Sequence, residues 1–190
     1  LITSLYFLFN IFIELPINAA NITDKTKVFA LSSRVLKKNL EELPMIDSVK
    51  ITKHLNGKVV ITISELAVLY YRVLDKTYVF ENNKKTTTLD TTLGIPTLVN
   101  YVPADIEENL IKKLKSINKD ILYKVSEIEY SPDIKNEKVI DKNRFLLRMN
   151  DGNYVYINLA NIKNLNKYEE IYATLNENEK GVLNLDSSSN

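Results

Sequence analysis

The sequence predicts an α+β fold in two parts, a helix-and-hairpin unit followed by a β-rich domain with two helices. Three observations predict it. Val49, Ile51 and Leu55 alternate with polar residues, and after Asn56-Gly57 the residues Val59, Ile61 and Ile63 do the same. Such period-2 runs joined by Asn-Gly read as a β-hairpin, because both central residues of a type I′ turn need positive φ. Before the hairpin, Val35, Leu36, Leu40 and Leu43 fall on one helical stripe, with Arg34, Lys37, Lys38, Glu41 and Glu42 away from it, and Pro44 stops the helix. Beyond the hairpin, strand-like runs and two further amphipathic stripes alternate to the end of the chain.

Composition sets the outer limits. A chain of 190 residues holds one or two small domains, and 45% hydrophobic with 26% charged residues is the balance of a globular protein. The net charge of +1 gives no global attraction to nucleic acid or an acidic membrane. Without cysteine there are no disulfides and no thiol chemistry.

Taken in order, Leu1 to Ile13 is strongly apolar, yet shorter than the roughly 20 residues that cross a bilayer. Two readings are open here: a buried first strand, for which Ile11 and Ile13 alternate correctly, or the outer end of a membrane anchor running into a strand near Asn10 to Leu15. A start at Leu1 without Met is read as a fragment or an excised product. Only Ile17 to Ile22 could supply a helix before the stripe of Ser33 to Leu43. After Glu65, Val68 to Arg72 and Thr77 to Phe80 read as strands around Asp75-Lys76, and Asn82 to Thr92 as a polar loop or a solvated edge. Pro103 opens a helix with Asp105, Glu107 and Glu108 early and Lys112, Lys113 and Lys115 late, both favourable to its dipole; Ile106, Leu110, Leu114, Ile117 and Ile121 form its apolar stripe. Ser126 to Tyr130 reads as a strand, and Pro132 to Asn143 as a charged loop. Arg144 to Met149 and Tyr154 to Leu159 flank Asn150-Asp151-Gly152-Asn153, a second hairpin. Leu165, Tyr168, Tyr172 and Leu175 mark a last helix, stopped near Gly181, and Val182 to Leu185 a last strand.

The helix, proline and hairpin carry Leu40, Pro44, Ile46, Val49, Ile51, Lys53, Ile61, Ile63 and Glu65 in a pattern that resembles the POTRA domain of the bacterial cell-division proteins FtsQ and DivIB. Val28, Phe29 and Leu31 match the apolar residues that lead into its second helix. Asn56-Gly57 stands where that family usually carries a proline, and Leu66 and Val68 replace its usual Arg and Pro. The succession RFLLRMNDGNYVYINL, NLNKYEEIYATL and GVLNLD resembles the second, β-rich domain of the same family. The resemblance implies a POTRA-like helix-plus-three-stranded-sheet domain over residues 10–69 and a β domain over 70–186. It also makes residues 1–9 the end of a transmembrane anchor and 187–190 a polar tail.

Catalytic signals are missing. His54 sits on the polar face with no second His or any Cys to complete a metal site, so it reads as a surface residue. No phosphate-binding, dinucleotide-binding, zinc-protease or serine-hydrolase motif occurs. Glu107-Glu108 and Glu169-Glu170 are neighbours that diverge on a helix, Lys37-Lys38 and Lys112-Lys113 are solvated faces, and Asp151-Gly152 is a turn rather than a calcium loop. The chain is therefore expected to be no enzyme and to need no metal or cofactor. The remaining candidate is a sheet edge: Val182 to Leu185 is either exposed and able to pair with an extended segment, or interior and capped.

The resemblance implies more. FtsQ and DivIB proteins bind FtsL and FtsB (or DivIC) at the end of the β domain. That implicates Val182, Leu183, Asn184 and Leu185, with Tyr168 and Tyr172 beside them, although the Arg-Tyr type of motif of the family's last strand is missing here. The implied protein is a single-pass, non-enzymatic scaffold of the divisome, with its bulk on the extracytoplasmic side at the septum. A POTRA-type polypeptide-binding chaperone or envelope assembly module is the alternative, and would call for further POTRA units. A cell-wall enzyme would need a convergent acid/base or metal cluster.

Overall fold

In the computed structural model the described residues are 32–55, 59–89, 94–174 and 180–186. The apolar start, the strand expected near Asn10 to Leu15, the helix expected at Ile17 to Ile22, the Asn56-Gly57 turn, Leu175 and the tail at 187–190 lie outside them. The chain forms two compact units that part between Ala67 and Val68.

In the first unit, helix α1 (Ser33–Glu41) starts at Ser32, whose Oγ accepts the Val35 N–H, a capping bond that satisfies one of the free donors of the first turn. Strands β1 (Ile46–Lys53) and β2 (Val59–Glu65) pair antiparallel. Leu36 and Leu40, one turn apart, bury against Ile46, Val49, Val59 and Ile61. Two expected core residues stand outside it. Val35 is exposed, because a helix turns about 100° per residue and Leu36 takes the sheet-facing direction. Leu55 is fully exposed, because the ladder ends at the Lys53–Val59 pair and Leu55 belongs to the connection.

The second unit is built on one eight-stranded sheet. In chain order its strands are β3 (Val68–Arg72), β4 (Thr77–Phe80), β5 (Lys85–Thr86), β6 (Thr97–Leu98), β7 (Val125–Tyr130), β10 (Arg144–Met149), β11 (Tyr154–Asn158) and β12 (Val182–Leu185). Their order across the sheet is β12-β11-β10-β7-β6-β3-β4-β5, with a separate ribbon of β8 (Asp133–Lys135) and β9 (Lys138–Asp141). Helices α2 (Ala104–Leu114), α3 (Lys119–Leu122) and α4 (Tyr168–Tyr172), the last preceded by a 3-10 turn at Ile162–Lys167, share a core with the strands. Phe145, Leu147, Met149, Val155 and Ile157 are all buried in it, while the intervening Arg148 and Tyr154 are exposed, as strand alternation requires.

Several segments depart from expectation for local reasons. The stripe from Ile106 to Ile121 is buried throughout but runs over two helices, since Asn118 accepts the Asp120 N–H and starts α3 afresh. The loop expected at Pro132 to Asn143 holds the β8–β9 ribbon, turned by Asn136 and Glu137 with φ of 48° and 61°, the left-handed values of a two-residue hairpin turn. After Phe80, in the stretch read as a loop or a solvated edge, Lys85 and Thr86 pair with β4 at the end of the sheet, in keeping with the second of those readings. Gly152 takes φ +90° between β10 and β11, where a side chain would be strained.

Candidate functional site

Strand β12 pairs with β11 in parallel, with Leu183 opposite Val155, and occupies one end of the sheet. The Tyr154 N–H donates to Gly181 O at 2.9 Å. Since backbone groups alternate sides along a strand, Leu183 and Leu185 direct theirs toward β11, and Val182 and Asn184 direct N–H and C=O away from the sheet. Among the described residues no strand takes up that outer row. The side chains alternate too: Val182 and Asn184 are exposed, and Leu183 and Leu185 pack on the core.

A polar network underlies the start of β12. Asn153, 4% exposed, donates from Nδ2 to the Tyr168 hydroxyl at 2.9 Å and accepts the Gly181 N–H on Oδ1 at 2.9 Å. The Tyr168 hydroxyl donates in turn to Asp151 Oδ2 at 2.7 Å. Tyr172 is stacked on Tyr168 with ring centroids 6.0 Å apart, and the Lys180 ammonium lies 5.7 Å from the Tyr172 centroid. Ile171, Tyr172, Gly181, Val182 and Leu183 wall a mostly apolar cavity of about 120 Å³ that opens beside the strand. Thus all six residues singled out in the sequence lie together, with Tyr168 as buried support and Tyr172 as part of the wall. Asp151 and Asn153 were legible only as turn residues; nothing in their spacing announced the bonds to Tyr168 and Gly181.

These bonds shift the titrating groups. Burial opposes ionisation of Asp151, but the Asn153 N–H and the Tyr168 hydroxyl outweigh it and hold the carboxyl below its ordinary 3.8. Burial first, then the bond to Asp151, pushes the Tyr168 hydroxyl well above its ordinary 10.0. The depressed carboxyl stabilises the fold fully above its ordinary value, and that contribution disappears as pH falls through the folded value. Urea unfolding of Asp151→Asn is therefore expected to show a flatter loss of stability below about pH 4 than the parent chain. Identical slopes would mean that Asp151 titrates alike folded and unfolded.

A second polar cluster joins Arg72 to Glu107 at 2.8 Å and to Asp75, with the buried Tyr70 hydroxyl donating to Glu107 at 2.8 Å. Each group there has its partner inside the cluster. His54 is exposed, and among the described residues no three His, Cys, Asp or Glu side chains gather as metal ligands. Nor, among them, is any helix long and apolar enough to cross a membrane.

A family model for the POTRA domain, FtsQ-type, matches residues 17–65, and a model for the C-terminal part of cell division protein FtsQ/DivIB matches residues 65–186. The chain belongs to the FtsQ/DivIB family of cell division proteins. Its resemblance to that family, read from the helix-proline-hairpin unit and the β-rich second domain, is borne out. Among FtsQ/DivIB relatives, the cell division protein DivIB of Geobacillus kaustophilus is 27% identical over 183 residues, which are 93% of this chain and 68% of that protein. DivIB of Bacillus cytotoxicus is 26% identical over 178 residues, 91% of this chain and 68% of its own length. DivIB of Listeria monocytogenes is 31% identical over 83 residues, 43% of this chain and 29% of that protein. A solved structure of the major extracytoplasmic domain of DivIB from Geobacillus stearothermophilus, in its trans isomer, covers 62% of this chain and 99% of its own, with 26% identity and a TM-score of 0.44.

Proposed function

We propose that this FtsQ/DivIB-family chain is a non-enzymatic scaffold of the division machinery that docks extended segments of FtsL and DivIC (FtsB in other bacteria) on the outer edge of β12. The observation that carries the reading is that free edge. Val182 and Asn184 offer backbone donors and acceptors to an added strand, and the cavity beside Tyr172 can receive one of its apolar side chains. Docking takes place on the extracytoplasmic side at the septum, behind an N-terminal anchor.

The test is binding of the chain to the purified extracellular segments of FtsL and DivIC from the same organism, read by calorimetry. Asn184→Pro removes an outward N–H at a position where an edge strand tolerates proline. It is expected to weaken binding at least about tenfold, or about 1.4 kcal/mol, with the melting temperature kept. Val182→Glu, which adds a charge on the same exposed rim, should act in the same direction. A folded parent chain that binds neither segment at about 100 μM, weaker than about −5.5 kcal/mol, would remove the reading.

A further inference from the structure

The end of β12 is strapped to the sheet by a side chain from two strands away. Arg144, on β10, has its guanidinium carbon 3.6 Å from the ring centroid of Tyr156 on β11. Its Nε then donates to Asp186 Oδ2, just past β12, at 2.7 Å. The side chains of this ion pair are 19% and 20% exposed, so the pair is shielded from solvent and salt more than a surface bridge is. Tyr156 stands opposite Asn184 in the parallel register, which puts the stacked guanidinium on the face of the sheet that carries the Asn184 side chain. The other end of β12 is held by the Asn153 bond to Gly181. Between these two fastenings lie four residues that, among the described residues, have a ladder on one side only, an arrangement whose attachment depends on its ends.

We infer that Arg144, Tyr156 and Asp186 are positioning residues that hold the end of β12 on the sheet, and so keep its outer row straight for an incoming strand. The inference rests on the docking reading above for its second half only. If the strap is cut, β12 spends more time detached, and a partner that needs it attached binds less tightly in proportion to the attached fraction lost. The two changes are linked through one equilibrium: affinity falls by the ratio of the attached fractions, whereas exchange rises by the ratio of the opening constants, so rare opening moves exchange far more than affinity.

The experiment is amide hydrogen exchange of the free chain, followed at the inward-facing amides of Leu183 and Leu185, for the parent, Asp186→Asn, Arg144→Gln and Tyr156→Leu. Each variant is expected to exchange faster at these two amides, by about tenfold where opening is limiting, with the amides of β7 and β10 unchanged. Asp186→Glu keeps the charge and should restore much of the protection. Affinity for the FtsL and DivIC segments is measured on the same samples. Faster exchange with affinity scaled by the attached fraction supports the inference, and unchanged exchange at Leu183 and Leu185 overturns it whatever the binding does. An affinity that falls by a factor other than the loss of attached fraction given by exchange overturns the link to docking. A folded parent that binds neither segment overturns the docking reading, while the exchange comparison still decides the strap.

Discussion

Phe145→Ala is expected to lower the stability of the second unit by about 3–5 kcal/mol, the range for removing a large ring from a closed core. Phe145 is 0% exposed in β10, an interior strand between β7 and β11. Its ring lies 5.4 Å from that of Tyr130 at 57°, a tilted contact of the favourable aromatic kind. Truncation removes buried apolar surface and leaves a cavity beneath a sheet that cannot close over it, because Tyr130 and Ile157 are fixed by the β10 ladders on either side. At roughly 3–5 °C per kcal/mol for a unit of this size, the melting temperature should drop by roughly 9–25 °C. Phe145→Leu, which fills much of the space, should cost about 1–1.5 kcal/mol. Leu146→Ala provides the contrast, since the next residue along the strand points to the other face and is only half buried. Calorimetry on the three variants gives the order; a Phe145→Ala loss below about 1 kcal/mol would mean that the ring is not closely packed.

How well the sequence spoke depended on the range of the interaction. The hairpin of Val49 to Ile63, the Pro103 helix start and the β10–β11 hairpin were legible because alternation, a proline at a helix start and a turn sequence act within a few residues. Strand β6 was not legible: two residues, Thr97 and Leu98, carry no period, and they are a strand only because β3 and β7 flank them in parallel. The β8–β9 ribbon hid for a different reason. Ile134, Val139 and Ile140 are exposed there, so the charged residues around them gave the composition of a loop. At the candidate site, the strand and its two tyrosines could be read from apolar spacing and family resemblance. Its fastenings could not, because Arg144 and Asp186 are 42 residues apart and Asn153 and Gly181 are 28 apart. No local rule pairs them; the sheet order does.

Glu107→Ala is expected to cost about 2–3 kcal/mol, since it strips the acceptor from a buried hydroxyl and one partner from a nearly buried guanidinium. Glu107 Oε1 accepts both the Tyr70 hydroxyl at 2.8 Å and Arg72 Nη1 at 2.9 Å, and Oε2 accepts Nη1 at 2.8 Å. Arg72 and Glu107 side chains are 18% and 13% exposed, and Tyr70 is 0% exposed. Burial, then the bond to Glu107, pushes the Tyr70 hydroxyl well above its ordinary 10.0, so the protonated, donating form is favoured. Arg72 keeps Asp75 after the substitution, which is why the cost falls short of the 3–5 kcal/mol of a fully orphaned pair. Tyr70→Phe alone should cost about 1 kcal/mol, because Glu107 still has Arg72. With both changes made, no hydroxyl remains to be orphaned, and the loss should be less than the sum by about 1 kcal/mol. Urea unfolding of the four proteins measures this coupling, which reports how firmly α2 is fixed to β3 through residues 35 and 37 positions apart. An additive cycle would mean that water takes the place of Glu107, and the cluster would then be a surface pair with no part in holding the helix on the sheet.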